Sequence, residues 1–265
     1  MRKKVPYMAS FVATAFLLVL LALATAGVRA SPDTLYVKVG GADSGNCTST
    51  PCASIGYALE KAFPGDTIKV AQGTYTENIT INKNLNLEGG YESTGWTRDI
   101  QIYEAIIDGN QSGTVVAFQA GSDGAVLDGF TITGGDANYG GGIVVDDSSP
   151  TIRNCTITGN NAFYSGGGIT VWGVSPIIES NTISSNTAND GGGGIHTYGS
   201  TPTISDNLIE SNTAGYGGGV FVDGSSTATV DGNNIASNVD RGIFVTNGSV
   251  VTLTNNLLFN NHDGV

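Results

Sequence analysis

Between residues 143 and 259 the apolar residues come in short β-branched runs in which apolar and polar positions alternate, and Gly, Asn, Ser or Pro closes each run. A period of two over a few positions, bounded by turn residues, predicts short half-buried strands. No apolar pattern of helical length interrupts them. The runs recur. PTIRNCTITGN from Pro150 is followed by PIIESNTISSN from Pro176, PTISDNLIESN from Pro202, ATVDGNNIASN from Ala228 and VTLTNNLLFNN from Val251, with starting positions 26, 26, 26 and 23 residues apart. A glycine-strand element lies between them: GGGIVVD ending at Asp146, GGGITVW at Trp172, GGGIHTY at Tyr198, GGGVFVD at Asp223 and RGIFVT at Thr246. Each unit thus holds three short strands, and units that cannot bury an apolar face alone must stack. The pattern predicts an all-β fold, a right-handed parallel β-helix with three strands per rung and one continuous core.

Two asparagine columns fix the register. One holds Asn181, Asn207, Asn233 and Asn256, with Cys155 in the same place one rung earlier; the other holds Asn160, Asn186, Asn212, Asn238 and Asn261. Both are read as structural, because Asn tolerates left-handed backbone at a turn and its amide reaches the identical amide one rung (~4.8 Å) away. Cys155 then replaces an inward ladder residue and is expected as a buried free thiol.

The first third of the chain departs from this repeat. Ser54 is placed to cap a short helix in which Ile55, Ala58, Leu59 and Ala62 share a face, before the turn Pro64-Gly65-Asp66. This helix reads as a lid over the first rung, with residues 36–81 forming cap and first rung and residues 125–265 the regular repeats. Cys47 and Cys52 flank a Thr-Ser-Thr-Pro turn and are expected to form a disulfide. The segment NNHDGV at 260–265 resembles the start of another glycine-strand element, which implies an open end: either the natural chain is longer or a partner covers that end, and self-association through it is expected.

Residues 1–30 read as a secretory signal peptide: Arg2, Lys3 and Lys4 precede an uncharged apolar run, and small residues end at Ala26 and Ala30. The competing reading is an uncleaved anchor. With cleavage, residues 31–265 are the working β-helix domain, secreted or on the cell surface, and are expected not to insert in a membrane. All 23 Asp and Glu but only seven of the 11 Lys and Arg lie in that part, a formal charge of −16. Such an acidic surface argues against nucleic acid as a partner.

Residues 36–81, YVKVGGADSGNCTSTPCASIGYALEKAFPGDTIKVAQGTYTENITI with its terminal residue counted, resemble the opening of secreted bacterial β-helix proteins of the pectate-lyase-like superfamily. ISSNTANDGGGGI and IESNTAGYGGGV resemble the repeat of chlamydial polymorphic outer-membrane proteins. The resemblance implies the β-helix and a surface location; because the fold hosts lyases, hydrolases, adhesins and stalks, it does not fix the chemistry.

Candidate chemistry comes from the glycine-preceded strands. With Ile195 and Thr197 facing inward, alternation turns His196 and Tyr198 out. Across rungs this gives one outward column of Val144, Thr170, His196, Phe221 and Phe244 and a second of Asp146, Trp172, Tyr198, Asp223 and Thr246. Aromatic faces with nearby carboxylates suit sugar rings and hydroxyls, so Trp172, His196, Tyr198, Phe221, Phe244, Asp146 and Asp223 are the candidate ligand residues for a polysaccharide or cell-surface glycan, expected as an exposed strip rimmed by Tyr139, Tyr164 and Tyr216. The bland alternative is cross-rung aromatic packing. The hydrolase motifs of the superfamily, Asn-Thr-Asp and Gly-His-Gly, do not occur. A calcium-dependent lyase acting on a uronate-containing glycan needs converging carboxylates and a basic residue, for which Arg241, Asp190 and Asp240 are weak candidates. Arg153, aligned with Asp128 and Glu179, reads as an ion-pair ladder. The first functional reading is a carbohydrate-binding or interaction module without a required cofactor; a lyase using Ca and a plain stalk are the alternatives.

Overall fold

The computed structural model describes residues 32–262; the expected signal peptide and the last three residues of NNHDGV lie outside them. Within these residues the chain winds through three long parallel sheets of nine, seven and eight strands, joined by a small three-stranded sheet. Equivalent strands pair in register on successive rungs, as in Ile143–Asp146 with Ile169–Trp172 and Ile169–Trp172 with Ile195–Tyr198. The parallel β-helix and its rung alignment are therefore as the repeat predicts.

The core follows from alternation. Ile143, Ile169, Ile195, Val220 and Ile243 stack in one fully buried column, Ile152, Ile178, Ile204 and Val230 in a second, and Ile157, Ile183, Ile209 and Ile235 in a third. Each such side chain contributes about 1.5–3 kcal/mol by leaving water. Both asparagine columns line the corners of this core. Asn207 Nδ2 donates to Ile178 O at 2.8 Å and to Asn233 Oδ1 at 2.9 Å, while its own Oδ1 accepts from Asn181 N and Asn181 Nδ2. Asn212 repeats the scheme with Ile183, Asn238 and Asn186. The left-handed residues are not the ladder asparagines, as the sequence reading has it, but their predecessors: Asn154, Ser180, Asp206, Gly232 and Asn255 in one column, and Gly159, Ser185, Ser211, Ser237 and Asn260 in the other. The corner places the αL turn one residue early so that the asparagine side chain points inward along the stack. Cys155 is buried and free, its N–H donates to Asn181 Oδ1, and burial pushes its pKa up to about 12, so it stays a thiol.

The lid is helix α1, Ile55–Lys61. Ser54 caps it, Glu77 accepts from the N–H groups of Ile55 and Gly56, and Lys83 Nζ donates to the carbonyls of Leu59 and Ala62 at the other end. These contacts satisfy backbone groups that the helix leaves open. Ile55, Ala58 and Leu59 are buried beneath it. Cys47 and Cys52 form the expected disulfide, joined to the first strand by bonds of Tyr36 N to Cys47 O and Cys52 N to Tyr36 O. Replacing both cysteines with serine is expected to lower stability by about 2 kcal/mol, the loop-closure entropy for so short a ring, read as a fall in the thermal midpoint; an unchanged midpoint would show that the strand contacts alone hold the loop.

Candidate functional site

The site lies on the seven-stranded sheet, where the glycine runs lead into the strands Ile143–Asp146, Ile169–Trp172, Ile195–Tyr198 and Val220–Asp223. The glycines have three separate duties. Gly192 holds φ +65°, a left-handed turn; a Cβ on Gly193 would stand 2.5 Å from Thr213 O; one on Gly194 would stand 2.6 Å from Gly219 O on the next rung. No other residue type passes such a corner without moving the backbone.

Ile195 and Thr197 point into the core and His196 and Tyr198 away from it, as alternation requires. The expected exposed strip, however, is not uniformly exposed. Tyr198 is 53% exposed, Trp172 and Phe244 are half-buried, and His196 and Phe221 are buried at 5% and 8%. Thr170 is fully buried, its hydroxyl donating to Ser165 O. The preceding loops, Asp136–Tyr139, Asn161–Ser165 and Thr187–Ala188, pair as the three-stranded sheet beside this column. His196, Phe221 and Phe244 stack on successive rungs, with ring centroids 5.2 Å and 5.5 Å apart and planes 17° and 8° from parallel.

What opens a cleft here is the residue before each glycine turn. That column reads Tyr139, Ser165, Gly191, Tyr216. A Cβ at Gly191 would come within 2.2 Å of the Phe221 ring, so the first glycine of NDGGGG is the one that makes room for the aromatic stack. With small residues on the two middle rungs and tyrosines at both ends, a cavity of about 750 Å³ forms, lined by Tyr139, Asp146, Ser165, Trp172, Asp190, His196, Tyr198, Tyr216, Phe221 and Asp223. Tyr139 stacks on Tyr164 at 5.0 Å and meets Trp172 edge-on at 5.2 Å, and Tyr216 stacks on Phe244 at 5.8 Å. Of the three expected rim tyrosines, Tyr139 and Tyr216 line the cleft, and Tyr164 stands behind Tyr139 as its stacking partner. Their arrangement was readable in part, but Ser165 and Gly191, whose lack of bulk creates the opening, were not singled out by the sequence.

Polar groups in the cleft are acidic or neutral. Asp146 and Asp190 are exposed, and Asp223 accepts from Gly224 N and Asn247 Nδ2. Burial pushes the His196 pKa down to about 4, against an opposing pull from Asp223, so its imidazole is neutral near pH 7. Neither ring nitrogen has a hydrogen-bond partner among the described residues. Of the weak catalytic candidates only Asp190 lines the cleft. Asp240 accepts from Gly217 N and pairs with Arg241 at 3.3 Å, and the Arg241 guanidinium lies over the Phe244 ring at 4.8 Å. Neither Lys nor Arg is among the lining residues, and no group of three His, Cys, Asp or Glu among the described residues is placed to hold a metal ion. Arg153 Nε pairs with Asp128 at 2.9 Å, as its alignment suggests, but the second partner of that buried carboxylate is Arg98 at 2.7 Å rather than a continuation to Glu179. These cations hold Asp128 below the usual carboxylate range despite the opposing effect of burial, which is the largest single influence on it.

No curated protein matches this chain. Among solved structures it is similar to the pectate lyase Pel9A, at 15% identity and a TM-score of 0.58, with 88% of this chain and 70% of that one covered. It also aligns with an alginate lyase from Paenibacillus sp. str. FPU-7, at 13% identity and a TM-score of 0.40 over 88% of this chain and 97% of that one. Identities this low speak to the fold alone. The model of the right handed beta helix region matches residues 90–258, most of the chain and every rung that builds the cleft, and the chain belongs to that family.

Proposed function

We propose that this protein is a carbohydrate-binding module of the cell exterior, which grips an extended glycan in the cleft over the seven-stranded sheet without cleaving it. The observation that carries this reading is the cleft itself: aromatic rings on consecutive rungs around a floor with polar atoms, a form that suits the apolar faces and equatorial hydroxyls of a sugar chain. Rungs ~4.8 Å apart are close to the length of one sugar residue, so two or three residues of an extended chain span the four lining rungs. Secretion follows from the signal-like residues 1–30 and suits the disulfide. A calcium-dependent lyase of this superfamily would use an Arg or Lys as base and several converging carboxylates as cation ligands; the lining residues include no Arg or Lys, and no group of three His, Cys, Asp or Glu among the described residues is placed to hold a metal ion.

Trp172→Ala combined with Tyr198→Ala is expected to weaken glycan retention in affinity electrophoresis by about 1–3 kcal/mol, the usual effect of truncating interface aromatics. Folding should change little, since Tyr198 is 53% exposed and Trp172 half-buried. A double variant that binds every glycan as the parent does would reduce the rings to sheet packing.

A further inference from the structure

His196 is expensive where it stands. It is 5% exposed, its two ring nitrogens have no partner among the described residues, and the equivalent outward positions on neighbouring rungs are Thr170, whose hydroxyl is bonded, and Phe221, which has no polar atom to satisfy. A phenylalanine at 196 would continue the parallel ring stack with Phe221 and Phe244 without leaving a polar atom unpaired. The ring lines the same cleft as the carboxylates Asp146, Asp190 and Asp223. A buried polar group without a partner calls for an explanation; both nitrogens are closed to solvent in this structure, and because the ring lines an open cleft, a ligand that displaces the side chains over it supplies the missing partner.

We infer that the cleft selects an uncharged glycan and that His196 is the residue that reads one of its hydroxyls. This rests on the glycan-binding reading and adds the class of sugar. A neutral imidazole offers one donor and one acceptor, and a hydroxyl matches either nitrogen in either tautomer. A uronate carboxylate would only accept, and it would enter a cleft already bordered by three carboxylates, on a chain with an excess of acidic residues, with no cation among the lining groups. A glycan ammonium would pair with the carboxylates but, as a donor only, cannot itself meet the N–H of the imidazole. Hydroxyls serve both the imidazole and the carboxylates, which accept from them.

The test is calorimetric titration of residues 31–265 with gluco-, manno-, xylo- and galacto-oligosaccharides, with oligogalacturonate and with chitosan oligomers. Each is run at about 20 and about 300 mM salt, since exposed charge pairs weaken across that range and neutral contacts do not. Expected are binding of a neutral oligosaccharide with less than about a twofold change in Kd between the two salts, none of oligogalacturonate with or without added calcium, and a loss of about tenfold or more in His196→Phe, about the effect of one removed hydrogen bond, while its thermal midpoint stays level or rises. His196→Gln, which keeps a donor and an acceptor, should retain more of the affinity than His196→Phe, and it stands in should the latter misfold. Preference for oligogalacturonate or chitosan, or unchanged neutral-sugar binding in both His196 variants, overturns the inference. If Trp172→Ala with Tyr198→Ala abolishes binding while the His196 variants keep it, glycan binding stands and the role of His196 falls; if the parent binds no member of the panel, both fall.

Discussion

Asn207→Leu is expected to lower the unfolding free energy by about 2–4 kcal/mol although it replaces a polar side chain in an apolar core with an apolar one of similar size. Asn207 sits 2% exposed in the middle of its ladder. Its removal leaves Asn181 N without its acceptor, takes one of two acceptors from Asn181 Nδ2 and removes a donor from Ile178 O. Each loss falls where water cannot substitute, and hydrogen bonds in a chain polarise one another, so the effect exceeds that of one average bond. Asn261→Leu is the internal comparison. Asn261 makes the same bonds to Asn238 and Ile235 but lies half-buried on the last described rung, where water reaches the orphaned groups, and it should cost less than half as much. Urea titration of both variants measures the difference. Equal costs, or a loss in Asn207→Leu under about 0.5 kcal/mol, would mean that the apolar columns hold the corners without the ladder.

The ladders, the core columns, the helix cap and the disulfide were legible because each is a local pattern, and in the rungs the pattern repeats. A 26-residue spacing that brings Ile195 over Ile169 must also bring Asn207 over Asn181, so one alignment yields both. The cleft was legible only in part. Alternation correctly turns His196 and Phe221 away from the core, but whether an outward side chain meets water depends on the path of the preceding loop, and those loops vary in length and composition from rung to rung. The informative signal was the interruption of a column, Tyr139, Ser165, Gly191, Tyr216, in which missing bulk rather than any chemical group makes the opening. Arg98 escaped for a related reason: it belongs to the loosely spaced early rungs, outside the register that predicted the pairing of Arg153 with Asp128.

Acidification should expose the burden that His196 places on the fold. Its pKa is about 4 in the folded protein, set chiefly by burial, against an ordinary value of 6.5. Between these values the unfolded chain takes up a proton that the folded one refuses, so stability falls as pH drops from about 6.5 toward 4 and is level above that range. The full span corresponds to about 3 kcal/mol, at 1.36 kcal/mol for each unit of difference. His196→Phe removes the titrating group and keeps the stack on Phe221. The parent is therefore expected to lose about 3 kcal/mol more than the variant between pH 7 and pH 4, measured by urea unfolding at each pH, and the carboxylates common to both proteins cancel in the comparison. Asp223 works in the opposite direction, since its charge favours the imidazolium; Asp223→Asn should enlarge the acid loss in the parent background and leave the His196→Phe background unaffected through this route. If the parent and His196→Phe lose stability in parallel down to pH 4, the imidazole takes its proton within the folded chain, which requires that water or a carboxylate reach the ring, and the cleft floor is wetter than its burial indicates.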